Sequence, residues 1–177
     1  DDISSKYGID TARVFLMSVA SPESDMEWSD KSVEGSFRFL QKIWRIQELK
    51  FKKLDEKGEH KRNLTIKNFT NLLQELRFNL AIIELMKYTD YLLENPSKEG
   101  YEDLLKMISP FAPHTAEELW SKIKKSFISV EKWPGYNEKK INFKLEESEK
   151  KINKLIEDIN NIVSIFKEKG KEVLKAF

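Results

Sequence analysis

Arg38, Lys42 and Arg45 stand at i, i+4 and i+7 in the stretch WSDKSVEGSFRFLQKIWRIQELKFKKL, residues 28–54. With Lys31 and Lys52 they are the residues whose type and spacing suggest chemistry most directly. Long cations repeated at helical intervals present positive charge at regular spacing, which is what a phosphate backbone requires. The same row would serve equally well to solvate the outside of a helical protein. Spacing alone does not choose between the two readings. Arg13 and Arg77 are weaker candidates, with structural roles the simpler expectation.

Catalytic groupings are not found. The chain has no glycine-rich phosphate loop, no H-E-x-x-H and no serine in a nucleophile elbow. Without cysteine there are no disulfides, thiolate metal sites or cysteine nucleophiles. His60 and His114 are the two imidazoles, and nothing in the sequence pairs them. Glu117 with Glu118, and Glu146 with Glu147, are sequence neighbours that point apart on a helix and read as surface charge. His114 and Trp120 read as a turn or capping hydrogen bond and a core side chain. The expectation is no catalytic residue and no metal site in this chain.

The cations need a scaffold. At about 100° per residue, Val33, Phe37, Phe39, Leu40, Ile43, Trp44, Ile46, Phe51 and Leu54 fall on roughly half of a helix. Lys31, Arg38, Lys42, Arg45 and Lys52 fall opposite. This predicts a long central helix capped by Ser29, with Asp30 in its first turn. Gly35 in its interior suggests close approach by another backbone.

Around it, residues 2–7 predict a short helix stopped by Gly8, and Asp10 is read as the cap of a second helix. Arg13 in that helix is expected to pair with a carboxylate at the helix start. SPESD reads as a connection. The polar run DEKGEHKR (55–62) reads as the most exposed loop. Phe69, Leu72, Leu73 and Leu76 give the next helix its inner face. Asn79 is a candidate cap for a helix reaching Glu94, although a continuous helix through 77–79 also fits. Asn95-Pro96 ends that helix and Ser97 caps another. Pro113 opens a short helix. Residues 126–144 lose helical periodicity, with Trp133-Pro134-Gly135 a turn signal. From Leu145 to near Gly170 an amphipathic helix returns, with Leu145, Ile152, Leu155, Ile156, Ile159, Ile162, Val163 and Phe166 on one side.

The pattern predicts an all-α fold, an antiparallel helical bundle with an additional C-terminal helix. Its expected parts are connecting helices over 1–20, a bundle over 21–125, and an irregular loop and terminal helix over 126–177 that packs on the bundle. A 40% apolar content supports a folded chain, and a net charge of +1 means that any anion-binding surface must be local. No apolar run reaches the roughly 18–20 residues that span a bilayer. With no signal peptide or cysteine, a cytosolic setting is expected. A first residue other than methionine hints at a fragment or processed product.

Four stretches carry a resemblance. The opening DDISSKYGIDTARVFLMSVASPESDMEWSDKSVEGSFRFLQKIWRI resembles the segment after the KMSKS loop in class I aminoacyl-tRNA synthetases, and within that class the leucyl enzymes. LRFNLAIIELMKY, ISPFAPHTAEELW and SVEKWPGYNE agree in order. The opening is the most specific, whereas PFAPHTAEELW is shared across related synthetases. The resemblance covers residues 1–140 well and the terminal helix by position only. It implies the helical anticodon-binding domain, whose bundle docks against the tRNA elbow and stem. It further implies a larger enzyme that uses ATP and Mg²⁺ to attach leucine to tRNA(Leu). The HIGH and KMSKS motifs and any editing domain are absent here, so the fragment alone is expected to be inactive and free of cofactor. The implied partners are tRNA(Leu) and the remaining catalytic and editing domains. The candidate phosphate contacts are Arg38, Lys42, Arg45 and Lys52. A valyl enzyme, or a helical interaction module that uses the 145–166 stripe, are the alternatives.

Overall fold

A computed structural model of the protein describes residues 2–19 and 30–175. The expected connection at 21–27, Trp28 and the Ser29 cap lie outside the described residues, as does the side chain of Lys31. The described residues are helical and contain no strand. The chain forms two compact units, Asp1–Ile141 and Asn142–Phe177.

In the first unit, α1 (Asp2–Tyr7) and α2 (Ile9–Val19) meet at Gly8, whose φ of +85° suits a residue without Cβ. Then follow α3 (Asp30–Gln47), α4 (Glu56–Gln74), α5 (Phe78–Glu94), α6 (Lys98–Ile108) and α7 (Pro113–Ser121). Helix α5 touches α2, α3, α4 and α6, so its buried residues Ile82, Leu85, Tyr88 and Leu92 lie at the middle of the core. Trp120 is fully buried, as expected.

Asp10 does not cap its own helix. It lies inside α2, almost fully buried, and its carboxylate reaches across the fold. One oxygen accepts from the Thr115 backbone N–H at 2.6 Å, and the other lies 3.0 Å from His114 Nδ1. Two orphan groups at the start of α7 are thereby satisfied from 104 and 105 residues away in sequence. With Asp10 committed there, Arg13 is exposed and makes no ion pair among the described residues.

The 55–62 run is not a loop. Asp55 accepts from the Gly58 N–H at 2.7 Å and starts α4, and Gly58, His60 and Asn63 are buried. A Cβ on Gly58 would come within 2.8 Å of Leu54 Cδ2, so glycine is required by close packing. Arg62 Nε donates to Asp103 Oδ2 at 2.6 Å, which ties α4 to α6.

The expected inner face of α4 fails at Leu76. The Arg77 N–H returns to Leu72 O at 2.9 Å and the Leu76 N–H to Leu73 O at 3.0 Å, a Schellman closure. It places Leu76 at φ +57° and leaves it 64% exposed. The same break starts α5 at Phe78, with Arg77 rather than Asn79 at the cap position; the Asn79 amide oxygen accepts from Leu80 N–H instead. A left-handed backbone costs an L-residue about 1 kcal/mol, and little apolar burial holds Leu76 there. Leu76→Gly is therefore expected to raise the unfolding free energy by about 0.5 kcal/mol, glycine's extra unfolded-state entropy offsetting part of the gain. Denaturant melts of both proteins measure this; an unchanged or lower midpoint would refute it.

Ser97 does stand at the cap of α6, but its hydroxyl makes no capping bond and is buried without a partner among the described residues. Residues 126–141 form a strap with two 3₁₀ turns, Ile128–Val130 and Glu138–Lys140. Trp133 stacks on Phe69 at 5.9 Å and donates its indole N–H to Thr70, while the Asn137 N–H donates to Asn63 Oδ1 at 2.7 Å. Glu117, expected as free surface charge, accepts from the Ile128 N–H at 3.0 Å and pins the strap's start.

The second unit is α8 (Phe143–Lys175), with an i,i+4 ion pair between Lys151 and Glu147. It continues through Gly170 rather than ending there.

Candidate nucleic-acid interface

Helix α3 divides as its sequence requires. Val33, Phe39, Leu40, Ile43 and Ile46 are buried, and Arg38 and Arg45 are exposed. The two guanidiniums belong to residues seven apart, so they sit about 10 Å apart along the axis. Among the described residues neither makes an ion pair. Trp44 and Phe37, placed on the apolar half by periodicity, sit at its margins. Trp44 is exposed with Lys122 Nζ 4.4 Å from its ring centre, and half-buried Phe37 meets the Tyr7 ring at 5.4 Å.

Lys42 is placed between the two arginines but is not free. Its Nζ lies 2.6 Å from Asp90 Oδ1 on α5. Both groups are substantially exposed, so the pair is worth little to stability and opens readily to a competing anion. A cleft of about 350 Å³ lies here, lined by Gly35, Arg38, Phe39, Lys42, Met86 and Asp90. Gly35 has no atom within 4 Å of where its Cβ would stand. No backbone approaches it, contrary to the expectation from sequence, and its missing side chain keeps the cleft open.

Lys52 does not belong to this row. Helix α3 ends at Gln47, where Glu48 and Leu49 N–H turn back to Arg45 and Ile46 carbonyls in an i→i+3 closure. Beyond it the chain is irregular. The Lys52 N–H donates to Pro96 O at 2.8 Å, and Phe51 meets Tyr101 at 5.8 Å. Arg77, the weaker candidate, is exposed beside Glu75 at 3.5 Å. The structure thus brings Arg38 and Lys42 into one cleft, sets Arg45 along the same helix, and removes Lys52.

Asp90 is the functional neighbour that sequence reasoning missed. Its only signal was a polar position in an otherwise apolar helix, LAIIELMKYTDYLLE. The arrangement can bind anions and offers no reactive group. Asp10 and His114 make the one acid–imidazole pair among the described residues, and its carboxylate is occupied by the α7 terminus. No group of three or more metal-ligating side chains occurs among the described residues.

An exposed cationic helix beside a core of this topology is the setting in which comparison with known proteins becomes decisive. Residues 55–175 match the family described as the anticodon-binding domain of tRNA ligase. The chain belongs to that family. Its sequence is 37% identical over 155 residues to the leucine–tRNA ligase of Prochlorococcus marinus strain MIT 9312, covering 77% of this chain and 18% of that protein. The leucine–tRNA ligase of Prochlorococcus marinus strain SARG is 36% identical over 199 residues, covering 96% of this chain and 22% of that one. A third, from strain MIT 9211, is 40% identical over 159 residues, 75% of this chain and 18% of the relative. This anticodon-binding domain therefore spans about a fifth of the length of these relatives. Among solved structures, the ternary complex of an Agrobacterium radiobacter K84 LeuRS with tRNA and LeuAMS superposes with a TM-score of 0.69 at 22% identity. It covers 80% of this chain and 21% of that chain, and shows the fold to be shared.

Proposed function

We propose that this chain is the tRNA-docking helical domain of a leucyl-tRNA synthetase, with tRNA(Leu) as its partner. The observation that carries the reading is the pair of exposed guanidiniums, Arg38 and Arg45, without ion-pair partners among the described residues on a helix held rigid by its buried side. The relatives named leucine–tRNA ligase and the tRNA in the superposing complex support leucyl over valyl identity. Arg38 and Arg45, joined by Lys42 when it exchanges Asp90 for phosphate, position the RNA without reading its bases. Residues 21–125 are the docking body, and residues 1–20 and 126–177 flank it. The whole ligase attaches leucine to tRNA(Leu) with ATP and Mg²⁺ in the cytoplasm. No phosphate loop or carboxylate cluster described in this chain fits those cofactors, so other parts of the ligase, its catalytic and editing domains, would handle them. No described helix is long and apolar enough to cross a membrane.

A salt titration of binding tests this. The chain is expected to bind tRNA(Leu) in preference to a non-cognate tRNA. The logarithm of its affinity should fall linearly with the logarithm of salt concentration, by roughly one unit for each phosphate contacted. Binding that is absent, or indifferent to salt, would overturn the proposal.

A further inference from the structure

Away from α3, the turn after α7 raises an aromatic ring into solvent. Phe127 is 70% exposed and Val130 73% exposed, on the segment KIKKSFISVEK. This is not a slack loop. Ile128 is buried, its N–H is held by Glu117 at 3.0 Å, and Ser126 Oγ donates to Glu131 at 2.6 Å while accepting from the Trp120 indole at 3.4 Å. Tethers on both sides of Phe127 hold its ring outward, where a loose loop would turn it onto the core.

The charges around the ring have one sign. Lys122, Lys124, Lys125 and Lys132 flank it within five residues on either side. Lys124 reaches Glu102 at 3.3 Å and Lys122 covers Trp44 of α3 at 4.4 Å, whereas Lys125 and Lys132 make no ion pair among the described residues. Through Lys122 the patch is continuous with the helix that bears Arg45. A fixed, exposed aromatic ring between free ammonium groups is complementary to an unstacked nucleobase with a phosphate on each side.

The geometry points to a second RNA site, in which Phe127 stacks on an unpaired base and Lys125 and Lys132 take the neighbouring phosphates. It is distinct from the duplex-positioning face of α3, and it rests on the reading of the chain as an RNA-docking domain. It adds a contact to a single-stranded end, loop or bulge.

Fluorescence anisotropy with labelled dodecauridylate and labelled tRNA(Leu) tests it on the 177-residue chain and its variants. Phe127→Ala is expected to weaken dodecauridylate binding about tenfold, with the salt slope unchanged because no charge is removed. Phe127→Trp should bind at least as well as the parent. Lys125→Ala with Lys132→Ala should make the slope shallower by about two. The ring is exposed, so the melting midpoint of Phe127→Ala should equal the parent's. If the parent binds tRNA(Leu) but Phe127→Ala leaves dodecauridylate binding unaltered, or the parent does not bind dodecauridylate, the stacking site is refuted and the docking role stands. If the parent binds neither RNA, the docking role falls and the site with it. Phe127-dependent binding to phosphatidylserine vesicles but not to dodecauridylate would refute the site by assigning the loop to a membrane surface.

Discussion

Replacing Arg62 by alanine is expected to cost the first unit about 3 kcal/mol near neutral pH, the low end of the penalty for breaking a buried ion pair. The two partners are unequally placed. The Asp103 side chain is 7% exposed and that of Arg62 23% exposed, so the guanidinium has some access to water and the carboxylate almost none. Burial pushes the Asp103 carboxyl above the ordinary carboxylate range, and Arg62 at 2.6 Å pulls it back only in part. Without Arg62 the folded-state value rises further. A carboxyl whose folded pKa lies above its unfolded value binds more protons when folded. Its stabilising contribution is fully present below the unfolded pKa of about 4 and is lost as pH rises through the folded value. The deficit of Arg62→Ala relative to the parent should thus be small near pH 4 and grow to full size above the raised pKa. Adding Asp103→Asn should recover most of it, since the amide carries no charge to strand. Denaturant unfolding followed by tryptophan fluorescence across pH reads both effects. A deficit independent of pH, or a double variant no better than the single one, would rule this account out.

What the sequence disclosed followed the reach of each signal. The division of α3 was legible because 3.6-residue periodicity is local, and Val33, Ile43 and Ile46 face inward as it required. The same rule overran its end. Phe51 and Leu54 happen to continue the apolar phase past Gln47, and it took the pairing of Lys52 N–H with Pro96 O to show that residues 48–55 belong to a different connection. Asp10 shows the converse. A carboxylate at a predicted helix start reads as a local cap, yet its partners are His114 and Thr115, and no local rule sees that far. The polar run at 55–62 was misjudged because its buried members, Gly58 and His60, are small or polar, and tertiary packing rather than propensity placed them inside. The left-handed turn at Leu76 left no trace, since leucine is the wrong residue for it by every local preference. Arg38 and Arg45 were legible as cations on an outer face, but the capture of Lys42 by Asp90 was not, because it joins residues 48 apart.

Reversing Arg38 and Arg45 together to glutamate is expected to lower affinity for tRNA(Leu) about a hundredfold at ~0.15 M salt, since two phosphate contacts are lost and two repulsions added. Alanine at both positions separates these effects. It should remove the contacts alone, lowering affinity about thirtyfold and making the slope of log affinity against log salt shallower by about two. Both side chains are exposed, so thermal unfolding should shift little. Lys42 behaves differently because its ammonium already has a partner. Lys42→Ala strands the Asp90 carboxylate in the same cleft and so removes a cation and uncovers an anion, an effect closer to charge reversal than to truncation. Asp90→Asn does the opposite: it frees Lys42 for phosphate and should tighten tRNA binding several-fold, by about 1 kcal/mol or less, with a steeper salt slope. Lys52→Ala, off the helix, should change neither. In the complete ligase the Arg38 and Arg45 reversal should raise the KM for tRNA while leucine activation stays intact, because the reacting groups lie elsewhere. Equal affinities and slopes for parent and double-alanine variant would return α3's outer face to simple solvation, whatever the fate of the Phe127 site. Tightening by Asp90→Asn is the more discriminating result, since a merely solvated lysine has no reason to bind RNA better when its carboxylate is removed.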